Sequence, residues 1–163
     1  MAEALIALGG NVGDVRRSFE QAISDLCRTT QSRLLARSAD YATPPWGGVD
    51  QPPFVNACIA IETALAPRPL LSKLHEIEKR FGRDRSRETP WGPRALDLDL
   101  LAYDDIVVDE PDLTLPHPRM FERAFVLVPL VEIARNRIIA GRGVAEALAR
   151  LATDGIERMP PLG

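Results

Sequence analysis

The sequence is poor in the residues from which covalent and metal-held frameworks are usually built. Its two cysteines, Cys27 and Cys58, lie far apart with no CxxC partner. That spacing argues against a disulfide scaffold or a thiolate zinc site, and the pair reads as reduced, packed thiols. Two histidines, His75 and His117, are too few for a zinc centre without cysteine help. Aromatic residues make up only 6%, and neither Arg33–Tyr41 nor Phe54–Thr63 carries the exposed aromatic pattern of an RNA-binding sheet. No stretch approaches the roughly 20 apolar residues of a membrane span. The start, Met1-Ala2-Glu3-Ala4-Leu5, lacks the basic region of a secretory leader. Positive charge is not in excess either. The 20 Lys plus Arg face 23 Asp plus Glu, a net charge of -3, which disfavours non-specific binding to nucleic acid.

What is present suits a globular enzyme or binding domain. The chain has 163 residues, 45% of them hydrophobic and 26% charged, enough to bury a core without staples. No repeat, linker or low-complexity tract divides it, so one domain over 1–163 is expected, cytoplasmic and monomeric. Fourteen prolines predict several shaped loops.

Ala4-Leu5-Ile6-Ala7-Leu8 reads as a buried strand stopped by Gly9-Gly10-Asn11. Asp14 can cap a helix with Phe19, Ala22, Ile23 and Leu26 on one face. Arg33–Tyr41 reads as extended, and Phe54–Thr63 alternates as a second long strand, with Val55, Ala57, Ile59 and Ile61 on one side. Pro67 and Pro69 open a helix with Leu70, Leu74, Ile77 and Phe81 in its stripe and Gly82 at its stop. Ala95–Tyr103 is the next strand, and Asp104-Asp105 turns it toward a short partner, Ile106-Val107-Val108. Two closing helices are expected at about Arg119–Ala134 and Val144–Thr153. The order predicts an α+β fold, a ferredoxin-like βαββαβ core. Its antiparallel sheet would carry helices on one face, with extra helices at the C-terminal end.

Charge is unevenly placed. Residues 79–94 hold six basic side chains and two acidic ones, whereas residues 97–112 hold seven acidic side chains and no basic ones. Arginine forks grip phosphate oxygens and carboxylates hold the bridging cation, so the pair of segments suits a metal–polyphosphate site. Two solvated segments that neutralise one another account for the charges equally well. Leu96-Asp97-Leu98-Asp99-Leu100 narrows the choice. In a strand Asp97 and Asp99 share one face, about 7 Å apart at Cα, while the leucines face the core. Carboxylates so placed can share one or two divalent ions. A lone DxD also fits a solvated edge strand, a nucleotidyl transferase or a glycosyl transferase.

Gly9-Gly10-Asn11-Val12-Gly13-Asp14 matches neither the P-loop nor the dinucleotide-binding pattern, so phosphates would have to be held by side chains. Its simplest reading is a turn. Trp46 and Trp91, each beside proline and glycine, can stack on a flat ligand or serve as packing anchors. His117 is held between two prolines, and His75 lies on the second helix.

Taken together, these motifs resemble one family. Trp91-Gly92-Pro93-Arg94-Ala95-Leu96-Asp97-Leu98-Asp99 is similar to the signature of the 6-hydroxymethyl-7,8-dihydropterin pyrophosphokinases of folate biosynthesis. Leu8-Gly9-Gly10-Asn11, Tyr41-Ala42-Thr43-Pro44-Pro45, Phe54-Val55-Asn56-Ala57, Leu115-Pro116-His117-Pro118 and Pro129–Ala134 support it, in order from about Ala4 to Ala134. The resemblance implies transfer of pyrophosphate from ATP to the hydroxymethyl group of the reduced pterin, releasing AMP. It implies ATP as co-substrate and two Mg2+ ions on Asp97 and Asp99. Arg83, Arg94 and Arg123 would grip phosphates, with Arg85 joining them. Glu78 and His117 would contact the nucleotide, with Leu113 and Thr114 on the adenine side. The pterin would sit among Thr43, Pro44, Pro45, Phe54, Asn56, Trp91 and Phe125.

Overall fold

A computed structural model of the chain describes residues 1–44, 50–82 and 94–162. Its elements, in chain order, begin with β1 (Ala2–Gly10), α1 (Val15–Thr30), β2 (Arg33–Arg37), β3 (Tyr41–Thr43), β4 (Phe54–Thr63) and α2 (Pro67–Arg80). Then come β5 (Asp97–Tyr103), β6 (Val108–Glu110), β7 (Leu113–Leu115), a 3-10 turn (Met120–Glu122) and α3 (Ala124–Ala134). The chain closes with β8 (Ile138–Ile139), β9 (Arg142–Gly143), α4 (Val144–Ala149) and β10 (Glu157–Arg158).

Six strands form the main sheet in the order β10-β3-β4-β1-β5, with β2 also paired to β4. Every pairing in it is antiparallel. The long central strands β1 and β4 run side by side over their whole length, from Ala2↔Thr63 to Gly10↔Val55.

The helix signals act as the sequence suggests. Asp14 accepts from Arg17 N–H at 3.3 Å and caps α1, whose Phe19, Ala22, Ile23 and Leu26 are buried. Pro67 opens α2, Leu70, Leu74 and Ile77 bury its stripe, and Gly82 ends it at φ +90°, a left-handed conformation that suits glycine. These two helices seal one face of the sheet. Ala4, Ile6 and Leu8 of β1, Ala57, Ile59 and Ile61 of β4, and Leu98 and Leu100 of β5 all point into that core.

Three expectations need correction. Helices cover both faces of the sheet, not one. The apolar run in β1 leaves no polar side, so Leu5 and Ala7, with Cys58, Ala60 and Leu101, form a second core. The apolar α3, with Val126, Leu127 and Leu130 buried, covers it together with α4. The short strand after β5 also lies further along, at Val108–Glu110, and pairs with Leu113–Leu115 instead of with β5. Asp104 takes φ +45° and Ile106 N–H bonds Tyr103 O at 3.2 Å, a tight turn that leaves Ile106 and Val107 exposed. The first closing helix is likewise shorter than expected. A 3-10 turn precedes α3, which keeps Pro129 within it.

Candidate active site

The second face of the sheet is only partly covered. α3 packs over its lower end, and at the other end three strands lie open as the floor of a cleft of ≈ 380 Å³. The register makes that floor. Gly9 of β1 stands opposite Asn56 on one side and Asp97 on the other, and Ala7 stands opposite Cys58 and Asp99. The central strand therefore contributes almost no side chain between two polar neighbours. Asn56 and Asp97 stand two strand spacings apart, about 10 Å, and a flat ligand can lie in the trough between them.

Glycine at the end of β1 does more than turn the chain. A Cβ on Gly10 would stand 2.7 Å from Ala95 O, and one on Gly9 would stand 3.0 Å from Asn56 Oδ1. This close approach lets Asn11 bind the start of the DxD segment. Arg94 O accepts from the N–H of Asn11 and Val12 at 2.8 and 3.1 Å, while Arg94 N–H donates to Asn11 Oδ1 at 2.8 Å. The Asn11 amide also donates to Gln51 Oε1 and Pro52 O, both at 2.9 Å. One buried asparagine thus ties together three segments around the cleft.

Asp97 and Asp99 both line the cleft, with Leu96, Leu98 and Leu100 buried on the opposite face. The Arg94 guanidinium lies 3.9 Å from Asp97 and also faces the cleft. Beneath the pair, the buried Glu78 carboxylate accepts the Leu98 N–H at 2.8 Å, holding the strand between the two aspartates. Among the described residues no third His, Cys, Asp or Glu joins them in a metal cage. Two hard oxygen donors at an open cleft fit magnesium, which completes its octahedron with water and phosphate oxygens.

The far wall comes from the segment between β7 and α3. His117 N–H bonds Leu101 O at 2.8 Å, which anchors the segment against β5. Arg119 N–H donates to His117 Nδ1 at 3.2 Å, leaving the proton on Nε2. Burial, with Arg123 and Arg119 nearby, pushes the His117 pKa below its ordinary value against the pull of Asp99. Burial also drives the Cys58 thiol up, with Asp99 adding to the effect. The Arg123 guanidinium stands 5.7 Å over the Phe125 ring. Thr43 and Phe54 close the remaining side, where Asn56 Nδ2 donates to Thr43 Oγ1 at 3.1 Å.

This combination of an aspartate pair, converging arginines and an amide-floored trough can be compared with known proteins. A family model described as 7,8-dihydro-6-hydroxymethylpterin-pyrophosphokinase matches residues 5–135. The chain belongs to this family. It is 49% identical to a 2-amino-4-hydroxy-6-hydroxymethyldihydropteridine pyrophosphokinase of Methylorubrum extorquens, over 98% of this chain and 99% of that one. Against the Pseudomonas aeruginosa protein of the same name the identity is 43%, over 95% of each. A crystal structure of Plasmodium falciparum HPPK-DHPS superposes with a TM-score of 0.68 at 13% identity. It covers 92% of this chain, which spans only 43% of that one, so the likeness speaks for the fold alone.

Of the residues that family resemblance singles out, the cleft gathers Thr43, Phe54, Asn56, Arg94, Asp97, Asp99, His117, Arg123 and Phe125. Glu78 lies under the floor, Leu113 packs in the first core, and Thr114 is exposed on β7. Pro44 is exposed beside Thr43 and does not line the cleft. Pro45, Arg83, Arg85 and Trp91, with Trp46, lie outside the described residues. The sequence reading missed Arg119, Ala7 and Gly9 as cleft residues. The small residues alternating at 7 and 9 on β1 were the available signal.

Proposed function

We infer that this pyrophosphokinase-family chain transfers pyrophosphate from ATP to the hydroxymethyl group of 6-hydroxymethyl-7,8-dihydropterin, a step of folate biosynthesis. The whole chain, 1–163, works as one domain on a ferredoxin-like βαββαβ core. The observation that carries the reading is the row Asn56–Gly9–Asp97 across the sheet, which sets a hydrogen-bonding amide and an acidic pair at the two ends of one trough.

In the reaction the hydroxymethyl oxygen bonds to the β-phosphorus of ATP. The bridge from that phosphorus to the α-phosphate breaks, AMP leaves with the bridging oxygen, and the hydroxyl proton passes to solvent. Such transfers depend mostly on positioning and charge stabilisation. Asn56 and Thr43 read the polar edge of the pterin, and Phe54, Phe125 and Trp91 hold its flat faces, with Pro44 and Pro45 beside them. Arg94 and Arg123, joined by Arg83 and Arg85, neutralise the triphosphate. His117, neutral and with its proton on Nε2, offers a donor to the nucleotide. Glu78, buried beneath the floor, keeps the aspartate-bearing strand in place, and Leu113 and Thr114 border the adenine. Two Mg2+ ions on Asp97 and Asp99 would supply charge neutralisation and alignment of the phosphates. The protein acts as a cytoplasmic monomer on small molecules. No helix among the described residues is long and apolar enough to cross a membrane.

Product analysis tests this directly. With ATP, magnesium and the pterin, phosphorus NMR should show AMP and a diphosphate ester, and neither should form when the pterin is omitted. ADP with a pterin monophosphate, or pterin-independent hydrolysis, would contradict the reading.

A further inference from the structure

Residues 155–160 lie beyond the segment that the family model matches, 5–135, and none of them lines the cleft. They are nevertheless built into the wall that carries Thr43. β3 is only three residues long and pairs with β4 along one edge, Thr43↔Phe54 and Tyr41↔Asn56. Its other edge is taken by β10, with Glu157↔Ala42 and Arg158↔Tyr41.

Three further contacts fasten this C-terminal strand. Met159 N–H donates to Asp40 O at 2.8 Å, just ahead of β3. The buried Asp40 carboxylate accepts from Arg16 Nε at 2.8 Å and from Arg37 Nη1 at 3.1 Å. The same Arg16 reaches on to Pro160 O at 2.5 Å, so one guanidinium bridges α1, the start of β3 and the C-terminal strand. At the other end Gly155 adopts φ +82°, and a Cβ there would lie 2.9 Å from Pro44 Cγ. Glu132 of α3 adds a brace, accepting from Ala39 N–H at 2.9 Å and Tyr41 Oη–H at 2.7 Å.

A three-residue strand has few bonds of its own with which to hold a position. Here Thr43 must present its hydroxyl to Asn56 within hydrogen-bond reach, and a displacement of about 1 Å can cost a site up to 100-fold. We propose that residues 155–160 form a positioning strap that fixes β3, and with it Thr43 and Pro44, for the pterin side of the cleft. The strap touches no substrate. It sets the place of residues that do, and it leaves the aspartate and arginine side untouched. The assignment of this side to the pterin rests on the proposed function.

Two variants of the full protein test the strap, Gly155→Ala and a chain ending at Asp154. Leu26→Ala, in α1 on the opposite face, serves as a destabilised control. With the strap loosened, the KM for the pterin should rise about tenfold, while the KM for ATP and kcat stay within about twofold. Amide exchange over Tyr41–Thr43 should quicken about tenfold or more, with Ile59–Ile61 unchanged. The control should lower Tm without altering the ratio of the two KM values. Unchanged exchange over Tyr41–Thr43, or KM values for pterin and ATP that rise in step, would overturn the strap. Should the wild type fail to release AMP, the proposed function has failed, and the exchange measurement still decides the strap alone.

Discussion

Leu98 and Asp99 are neighbours on β5, yet they belong to two different molecules in effect. Leu98 points into a core closed by α1 and α2, whereas Asp99 points into a cleft that α3 leaves open. The same division runs through β1, where the Leu8 side chain packs in the sealed core and Gly9 lines the trough, and through β4, where Ala57 is sealed and Asn56 is not. A shift of one residue in a strand exchanges its faces. The division therefore assigns stability to one set of side chains and chemistry to the set between them. Polar groups buried on the sealed face are used to bind the chain itself: the Glu78 carboxylate accepts the Leu98 N–H and Thr63 Oγ1 accepts the Leu65 N–H.

Substitutions on each face should separate these properties. Asp97→Asn should lower kcat at least about 1000-fold, because the lost charge is needed where phosphate charge is handled. Tm should hold or rise slightly, since two like charges no longer face each other. An activity within tenfold of wild type would break the division. Leu98→Ala should do the reverse. A buried leucine truncated to alanine costs about 2–5 kcal/mol, visible in chemical denaturation, with both KM values unchanged on the folded protein.

Glu78→Ala sharpens the comparison because this side chain joins the two faces. It leaves the Leu98 N–H without its acceptor, at a cost of about 1–3 kcal/mol, and it should also reduce kcat measurably. Loss of stability with wild-type kcat would make Glu78 a core residue only.

The smallest effect is expected at Tyr41. Burial, together with its hydrogen bond to the Glu132 carboxylate, raises the phenol to about 12. An unfolded tyrosine ionises near 10. The folded protein thus keeps a proton that the unfolded chain releases, and this contribution is whole below pH 10 and lost as pH rises toward 12. Tyr41→Phe should flatten the alkaline fall in stability over that window, as read by denaturation at a series of pH values. An identical alkaline profile in both proteins would contradict it.

Much of this division was legible in the residues. Alternation in Leu96–Leu100 announced the two faces of β5, and the 3.6-residue stripes of α1 and α2 announced what would seal one of them. The other face was harder to read. Pattern alone marks β1 as apolar throughout, but its consequence, a second core under α3, depends on where a distant helix returns. The trough was hidden because its makers, Ala7 and Gly9, carry no chemistry of their own. Their effect exists only once the register sets them between Asn56 or Cys58 and the two aspartates. Glu78 read as a ligand-facing acid, and only the packing of α2 under β5 turns it toward a backbone amide. Arg119 carries no pattern of its own in the sequence, and only the path of the segment between β7 and α3 brings it to the cleft.

A magnesium titration of pterin-dependent AMP release, run on wild type and Asp99→Asn with Tm recorded on the same samples, tests the central claim most directly. The account predicts a saturable magnesium dependence in the wild type. In the variant it predicts a much lower plateau, reached only at higher magnesium, with an unchanged Tm. Superimposable titrations from the two proteins would contradict it, because the open face of β5 would then hold no part of the chemistry.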